Sequence, residues 1–184
     1  MFRSSGMKVG VISDTHIAAS GFRKIGTRII NNIRDDLDSL KAKLERYFKG
    51  VDAVFHAGDL VDLSVIEMLA DFGQVYAVSG NMDPGEVKSK LPGKQIIELS
   101  GFRLGLTHGW GSPHDLSERV REQFAGDKLH CIIFGHSHHP YNQIEQGILM
   151  FNPGSATDRR FAPCRTVGIL HLEEKIRGEH IEFD

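Results

Sequence analysis

The chain has 184 residues, of which 40% are hydrophobic and 25% are charged, and its formal net charge is −2. This length suits one domain, spanning residues 1–184, with a sizeable buried core. The near-neutral charge gives no specific signal for binding nucleic acid or an anionic membrane surface. The longest apolar runs are only as long as a strand, so no membrane span is expected. Residues 1–6 also lack the apolar stretch of a signal peptide.

The two cysteines, Cys131 and Cys164, stand far apart and lack the spacing of a zinc site. Cys131 lies in an apolar run, so we expect it to be a small buried hydrophobic residue. Two cysteines without a disulfide framework are typical of a reducing compartment, which predicts a cytoplasmic location.

The first predicted elements alternate between strand and helix. An apolar run over residues 8–13 predicts a buried strand. Apolar residues recur every three or four positions over residues 27–48, which predicts an amphipathic helix. Two further strands are predicted over residues 52–56 and 74–79, with a short helix over residues 64–72 between them.

Hairpins dominate the later part of the chain. Two apolar runs, at residues 95–99 and 102–107, flank a Ser-Gly turn and predict a hairpin. Ser112 is expected to cap a helix that opens with a proline and reaches about Phe124. The remaining strands are predicted over residues 131–134, 142–145, 148–151, 165–172 and 175–183. Early alternation followed by hairpins predicts a layered α/β sandwich rather than a purely parallel sheet.

Candidate metal ligands follow five of the predicted strands. They are Asp14, His16, Asp59, Asn81, His108, His136 and His138. Residues just beyond the carboxyl ends of strands gather at one edge of a layered α/β fold. Oxygen and nitrogen ligands without a thiolate suit a pair of divalent ions such as Mn, Fe, Zn, Co or Ni. Asp59 ends a buried strand and has two oxygens to share, so we expect it to bridge the two ions.

The spacing of these residues also matters. Asp14 and His16, like His136 and His138, are separated by one residue, so an extended backbone would point both members of a pair the same way. Any single histidine after a strand is more often a hydrogen-bonding residue than a ligand. Asp14 or Asn81 alone can simply serve a turn. Five loops that all offer ligands after buried strands are hard to explain by packing.

These residues fall into five short motifs in a fixed order. The motifs are Asp14-x-His16, Gly58-Asp59, Gly80-Asn81-x-Asp83, His108-Gly109 and Gly135-His136-x-His138, followed by Asn152-Pro153-Gly154-Ser155. The set resembles calcineurin-like metallophosphoesterases, most of all their small YfcE-like phosphodiesterase branch. The resemblance implies a four-layer α/β/β/α sandwich with a dinuclear site at one edge of the sheets. It also implies two ligand sets: Asp14, His16, Asp59 and His138 for one ion, and Asp59, Asn81, His108 and His136 for the other.

By this resemblance we expect a metal-dependent phosphoric ester hydrolase that acts on a small phosphate ester and uses two divalent ions. Manganese is the first choice of ion. A hydroxide held between two such ions would attack phosphorus in line with the leaving oxygen. Asn81 is expected to bind metal and help fix the phosphate, and Asp83 to orient a ligand histidine. The loops at residues 18–26 and 85–94 would set specificity, and the family tendency suggests a homo-oligomer.

Met82 departs from the family pattern. Many relatives carry a histidine there, which is thought to protonate the leaving group, whereas methionine has no acidic proton. We therefore expect weak activity on unactivated alkyl monoesters and better activity on diesters or on esters with stable leaving groups. His139 or His56 are alternative acids, although His56 is more simply a buried structural residue. Arg159 and Arg160 would suit a substrate phosphate, with exposure to solvent as the simpler assignment.

Three other functions fit this sequence less well. A non-catalytic binding scaffold like the retromer small subunit has lost part of the ligand set, whereas all seven positions hold competent residues here. A metallo-β-lactamase-type hydrolase needs a His-x-His-x-Asp-His run, which the residues after His138 do not provide. The larger phosphoprotein phosphatases need more helices and loops than this length allows. The Asn152-Pro153-Gly154-Ser155 segment predicts a turn; the functional alternative is that it packs under the site and places a backbone amide or hydroxyl nearby.

Overall fold

The fold is built from two β-sheets with helices on their outer faces. The computed structural model describes residues 6–17, 26–158 and 162–183, with the backbone alone for residues 26–33. In chain order, the elements in these residues are β1 (Met7–Ile12), α1 (Gly26–Tyr47), β2 (Ala53–His56), α2 (Ser64–Leu69), β3 (Gln74–Ala77), α3 (Gly85–Lys90), β4 (Lys94–Leu99), β5 (Phe102–Thr107), α4 (Leu116–Glu122), β6 (Cys131–Ile133), β7 (Tyr141–Glu145), β8 (Ile148–Asn152), β9 (Arg165–Leu172) and β10 (Ile176–Phe183).

Both sheets are mixed and have a parallel centre. The first sheet has the strand order β10-β9-β1-β2-β3, and the second has the order β4-β5-β6-β8-β7. β1, β2 and β3 run parallel, and so do β5, β6 and β8. The outer strands β10, β9, β4 and β7 are joined by antiparallel pairing. The carboxyl ends of the parallel strands are level with one another, so the loops that follow them leave the sheets together.

Alternating side chains divide the core into layers. Val9 and Val11 of β1 face the second sheet, whereas Ile12 packs with the residues of α1 and α2. In the second sheet, Cys131 and Ile133 face the first sheet, and Ile132 packs towards α4. The result is helix, sheet, sheet and helix, as the predicted four-layer sandwich requires. Burial of Cys131, whose side chain is 0% exposed, is confirmed.

Two local predictions about helices were wrong. The helix predicted to start after Ser112 begins at Leu116, since Ser112 Oγ instead accepts a hydrogen bond from the His114 N–H within a turn. Residues 85–94, expected to be a loop, contain α3, a helix of six residues that follows an extended Pro84. Short helices with glycine and serine carry little periodic signal, which explains the omission. None of the described helices combines the length and the apolar surface that crossing a bilayer requires.

Two predicted substrate-binding features cannot be placed. The specificity loop at residues 18–26 lies outside the described residues except for its last position, where α1 begins. Arg159 and Arg160 also lie outside the described residues.

Candidate metal centre

The loops that follow β1, β2, β3, β5 and β6 meet at one edge of the two sheets. Backbone hydrogen bonds join them: the Asp14 N–H donates to Gly58 O and the His16 N–H to Asp59 O, each at 3.0 Å. The Gly135 N–H donates to His108 O, also at 3.0 Å, and so links the two loops of the second sheet. All seven predicted ligands are brought to this edge.

One group of donor atoms forms around His16 and His138. Their Nε2 atoms are 3.2 Å apart. Asp14 Oδ1 lies 3.2 Å from His138 Nε2 and 3.9 Å from His16 Nε2. Asp59 Oδ2 lies 4.0 Å from His16 Nε2. The donor atoms of Asp14, His16 and His138 lie within 4.8 Å of one another, close enough to hold one cation.

A second group forms around His108. Its Nε2 lies 3.2 Å from Asp59 Oδ2 and 3.1 Å from Asn81 Oδ1. His136 Nδ1 approaches the same Asn81 oxygen at 3.0 Å. Asp14 Oδ1 lies 3.9 Å from His108 Nε2, so this carboxylate belongs to both groups.

The histidines are held so that their free nitrogens face inwards. Three of them place the outer ring nitrogen against an acceptor: His108 Nδ1 against Ala57 O at 2.7 Å, His136 Nε2 against Gly111 O at 2.7 Å, and His138 Nδ1 against Asp158 Oδ2 at 2.6 Å. Because carbonyl and carboxylate oxygens only accept, the outer nitrogen carries the proton. In the neutral ring, the inner nitrogen then presents its lone pair to the other donors, as in ligand histidines of metal sites.

The two carboxylates also direct oxygen lone pairs into the site. Within the described residues, Asp14 Oδ1 is buried and accepts no hydrogen bond, whereas its Oδ2 accepts the His136 N–H at 3.0 Å. Asp59 Oδ1 accepts the Met82 N–H at 2.7 Å, which leaves Oδ2 beside the histidines. Buried lone pairs facing one another are costly unless a cation lies between them. The residues therefore fit divalent ions, and their oxygen and nitrogen atoms suit first-row metals.

Both carboxylates lie between the two groups. Asp59 Oδ2 is near His16 of one group and His108 of the other. Asp14 Oδ1 is near the same two histidines and near His138. The bridging role expected of Asp59 stays a prediction, and Asp14 Oδ1 is placed as centrally.

The charges of the cluster shift its pKa values. Burial lowers the pKa of His138, but the nearby carboxylates of Asp14 and Asp158 outweigh it and raise the pKa to about 9. Burial also lowers the pKa of His108, and its contacts with Asp59 and Asp14 raise it above the ordinary value. Burial raises the pKa of Asp59, but the contact with His108 and the positive charge of that ring lower the pKa below its usual range. Protons thus bind where cations would, and the two compete.

The backbone of the site is strained. Five of the seven predicted ligands have positive φ: Asp14 (52°), His16 (45°), Asp59 (56°), His136 (72°) and His138 (58°). The expectation that extended backbone aligns each pair was therefore wrong. Left-handed residues bend the chain sharply after each strand, and each costs about 1–3 kcal/mol unless its surroundings hold it. Such strain is typical of functional sites.

Asp83 has a different role from the predicted one. It accepts hydrogen bonds from three backbone N–H groups, those of Asp59 at 3.1 Å, Gly80 at 2.7 Å and Val61 at 2.6 Å. The prediction that it orients a ligand histidine was wrong, because both of its oxygens are engaged by backbone. Asp83 instead ties the loop after β2 to the loop after β3.

The outer ring nitrogen of His138, a predicted ligand, instead contacts the carboxylate of Asp158, which no sequence motif indicates. It lies 20 residues beyond His138, in a loop without a recognisable motif. The Asp158 N–H donates to Ser155 Oγ at 3.0 Å, which fixes the start of this loop. The only available signal was its position three residues after Ser155.

The Asn152–Ser155 segment packs beneath the site, which was the alternative to a simple turn. Asn152 Nδ2 donates to Gly135 O at 2.7 Å, and Ser155 Oγ donates to Asp14 O at 2.8 Å. Thr157 Oγ1 donates to Thr15 O at 2.7 Å. These hydroxyl groups bind backbone of the ligand loops, so they support the strained conformation.

The residues considered as proton donors have distinct environments. Met82, next to Asn81, is 61% exposed. His56 is completely buried between Thr15 Oγ1 at 3.1 Å and the Gly58 N–H at 3.2 Å, and burial lowers its pKa to about 4. It is therefore neutral at pH 7 and serves as the structural residue that was the simpler expectation.

Comparison with known proteins identifies the family. The model of the calcineurin-like phosphoesterase superfamily domain matches residues 7–175. The chain belongs to this superfamily. A relative of this calcineurin-like phosphoesterase, named a probable metallophosphoesterase, from Methanocaldococcus jannaschii, is 31% identical over 180 residues, which cover 97% of this chain and 82% of the relative. A protein of the same organism named a phosphodiesterase is 28% identical over 182 residues, covering 92% of this chain and 95% of that protein.

The fold is also shared with a solved structure that is not named a phosphoesterase. The Vps29 single mutant from Entamoeba histolytica superposes with a TM-score of 0.65 at 21% identity, covering 97% of this chain and 100% of that chain. At this identity the likeness concerns the fold of the calcineurin-like phosphoesterase and not its activity.

Proposed function

We propose that the chain is a dinuclear-metal-dependent phosphoesterase that hydrolyses phosphodiesters in preference to monoesters. The observation that carries this proposal is the convergence of imidazole and carboxylate lone pairs in two adjoining groups. One ion would be held by Asp14, His16, Asp59 and His138, and the other by Asp59, Asn81, His108 and His136. Manganese is the first candidate, with Zn, Fe, Ni and Co as alternatives.

When bound, the two ions would lower the pKa of a water and neutralise charge on the phosphoryl oxygens. The side chains of the chain itself supply positioning. Asn81 is exposed, and its Oδ1 faces His108 and His136, so its amide N–H group is available to a phosphoryl oxygen. The hydrogen bonds of His108, His136 and His138 fix ring orientation before substrate arrives.

Met82 bears on which leaving groups the site accepts, in diesters and monoesters alike. A leaving oxygen beside this side chain finds no acidic proton, so it must depart as an anion or take a proton from water. Good leaving groups tolerate this and alkyl oxygens do not. The proposed preference for diesters over monoesters rests on the relative named a phosphodiesterase. The substrate would be a small phosphate ester; the single domain, the cytoplasmic location and the homo-oligomer stay predictions.

The test combines metal analysis with a substrate screen. We expect the wild type to bind two ions per chain and to hydrolyse bis-p-nitrophenyl phosphate faster than p-nitrophenyl phosphate. Asp59→Asn should lose bound metal and at least ~100-fold in activity. Asp71→Asn, which removes a surface carboxylate paired with Lys41 at 2.6 Å, is the matched control and should retain both.

Two results would count against the proposal. Full activity and full metal content in Asp59→Asn would refute the dinuclear site. A wild type that binds metal but hydrolyses no ester would favour the non-catalytic scaffold, against which the complete set of seven donors argues.

A further inference from the structure

The loop of residues 109–115, between β5 and α4, touches the metal centre through its backbone. Gly111 O accepts the hydrogen bond of His136 Nε2 at 2.7 Å. The other nitrogen of this ring, Nδ1, faces Asn81 Oδ1 at 3.0 Å. The position of one backbone carbonyl therefore decides where the His136 lone pair points.

Arg119 of α4 holds this loop. Its Nε and Nη2 donate to Trp110 O at 3.3 and 3.1 Å, and its Nη1 donates to His114 O at 2.7 Å. Nη2 also donates to Ser112 O. One guanidinium thus binds the carbonyls on both sides of Gly111, those of Trp110 and Ser112. A rigid fork of donors suits this task better than the single ammonium of lysine.

We propose that Arg119 is a positioning residue for the ion assigned to Asp59, Asn81, His108 and His136, called the second ion below. It would act through the 109–115 loop, Gly111 O and His136. This inference rests on the proposed dinuclear function. The positive charge of Arg119 would repel a cation, so its contribution is geometric and not electrostatic. A loop anchor with a purely structural role would instead affect stability and leave the affinities for both ions alike.

The experiment compares Arg119→Met with Arg121→Met. Arg121 lies on the same helix but pairs with Glu145 of β7 at 2.7 Å, away from the 109–115 loop. Metal-free protein is titrated with Mn²⁺ by calorimetry and with Co²⁺ by visible absorption, and thermal unfolding is recorded for each variant. We expect Arg119→Met to bind the first ion as the wild type does and the second ~10–100-fold more weakly. Arg121→Met should bind both ions normally.

A milder variant keeps the test informative if Arg119→Met fails to fold. Arg119→Lys keeps donors for some of the carbonyls, so it should show an intermediate loss at the second ion only. Unchanged affinity for the second ion in both Arg119 variants, with two ions bound by the wild type, would overturn this inference alone. Equal weakening of both ions would overturn it too. A wild type that binds only one ion would overturn the proposed function and this inference with it.

Discussion

His138 Nδ1 and Asp158 Oδ2 lie 2.6 Å apart, which makes Asp158 the orienting partner of a predicted ligand. The carboxylate accepts a hydrogen bond from the Nδ1–H group of His138. This contact makes Nε2, on the inner side of the ring, more basic and so a better metal ligand. Partners of this kind bind ligand histidines in many metal sites, and their loss weakens metal binding.

Replacement of Asp158 should therefore weaken binding of the ion assigned to Asp14, His16, Asp59 and His138, the first ion. Asp158→Asn is expected to lower its affinity by ~10–100-fold, because the amide holds the ring less firmly and no longer makes it more basic. Calorimetric titration with Mn²⁺ measures this. Glu179→Gln removes a comparable contact, to His171 at 3.2 Å on the surface, and should change nothing. Equal metal affinity in Asp158→Asn and Glu179→Gln would contradict the prediction.

Metal binding should release protons. The pKa of His138 is raised to about 9 in the metal-free site, so this ring is protonated at pH 7 and must lose its proton to bind an ion. Metal affinity should rise with pH up to about 9 and level off above it. Titrations at pH 7 in buffers of different ionisation enthalpy would measure the release, expected at about one proton or more per chain. Affinity that is independent of pH below 9 would contradict this.

His56 should make the fold sensitive to acid. Burial holds the pKa of His56 at about 4 in the folded protein, below the ordinary histidine value of 6.5, so between these two pH values the unfolded chain binds a proton and the folded chain does not. Stability should fall as pH drops through this window, by about 3 kcal/mol in all, and His56 contributes nothing to the pH dependence above it.

His56→Gln is the variant that isolates this effect. Its amide does not titrate, so the difference in urea-unfolding free energy between variant and wild type should change across the window. His171→Gln, a surface histidine, is the control. Parallel pH profiles for His56→Gln and wild type would show that the buried imidazole is not responsible.

Met82→His should help poor leaving groups most. A histidine there can protonate the leaving oxygen, a contribution of about 10²–10⁴ in well-placed acids. We expect at least a ~10-fold gain for an alkyl monoester and little gain for p-nitrophenyl esters. Met82→Gln, of similar size and without an acidic proton, is the control. Equal gains for good and poor leaving groups would refute the role given to Met82.

Much of this molecule was predictable because its signals are local. Apolar runs, the Ser-Gly turn and the residues after each strand predicted the sheets and the seven residues at their edge. The contacts of Asp158 with His138 and of Arg119 with the carbonyls of the 109–115 loop were not predictable, since both are fixed only by tertiary structure. The left-handed backbone at Asp14 and His138 was also missed, because neither is a glycine and short-range propensity favours other conformations there.

The strained backbone also bears on how such a chain can change over time. Five ligand positions hold left-handed φ values that asparagine or glycine would adopt more comfortably. In a descendant released from the need to bind metal, each such exchange would relieve backbone strain. Giving up the metal would thus be easy for this architecture, and regaining it would require several unfavourable substitutions at once. This chain keeps the full set of donors in spite of the backbone strain, which favours the proposal that they bind metal.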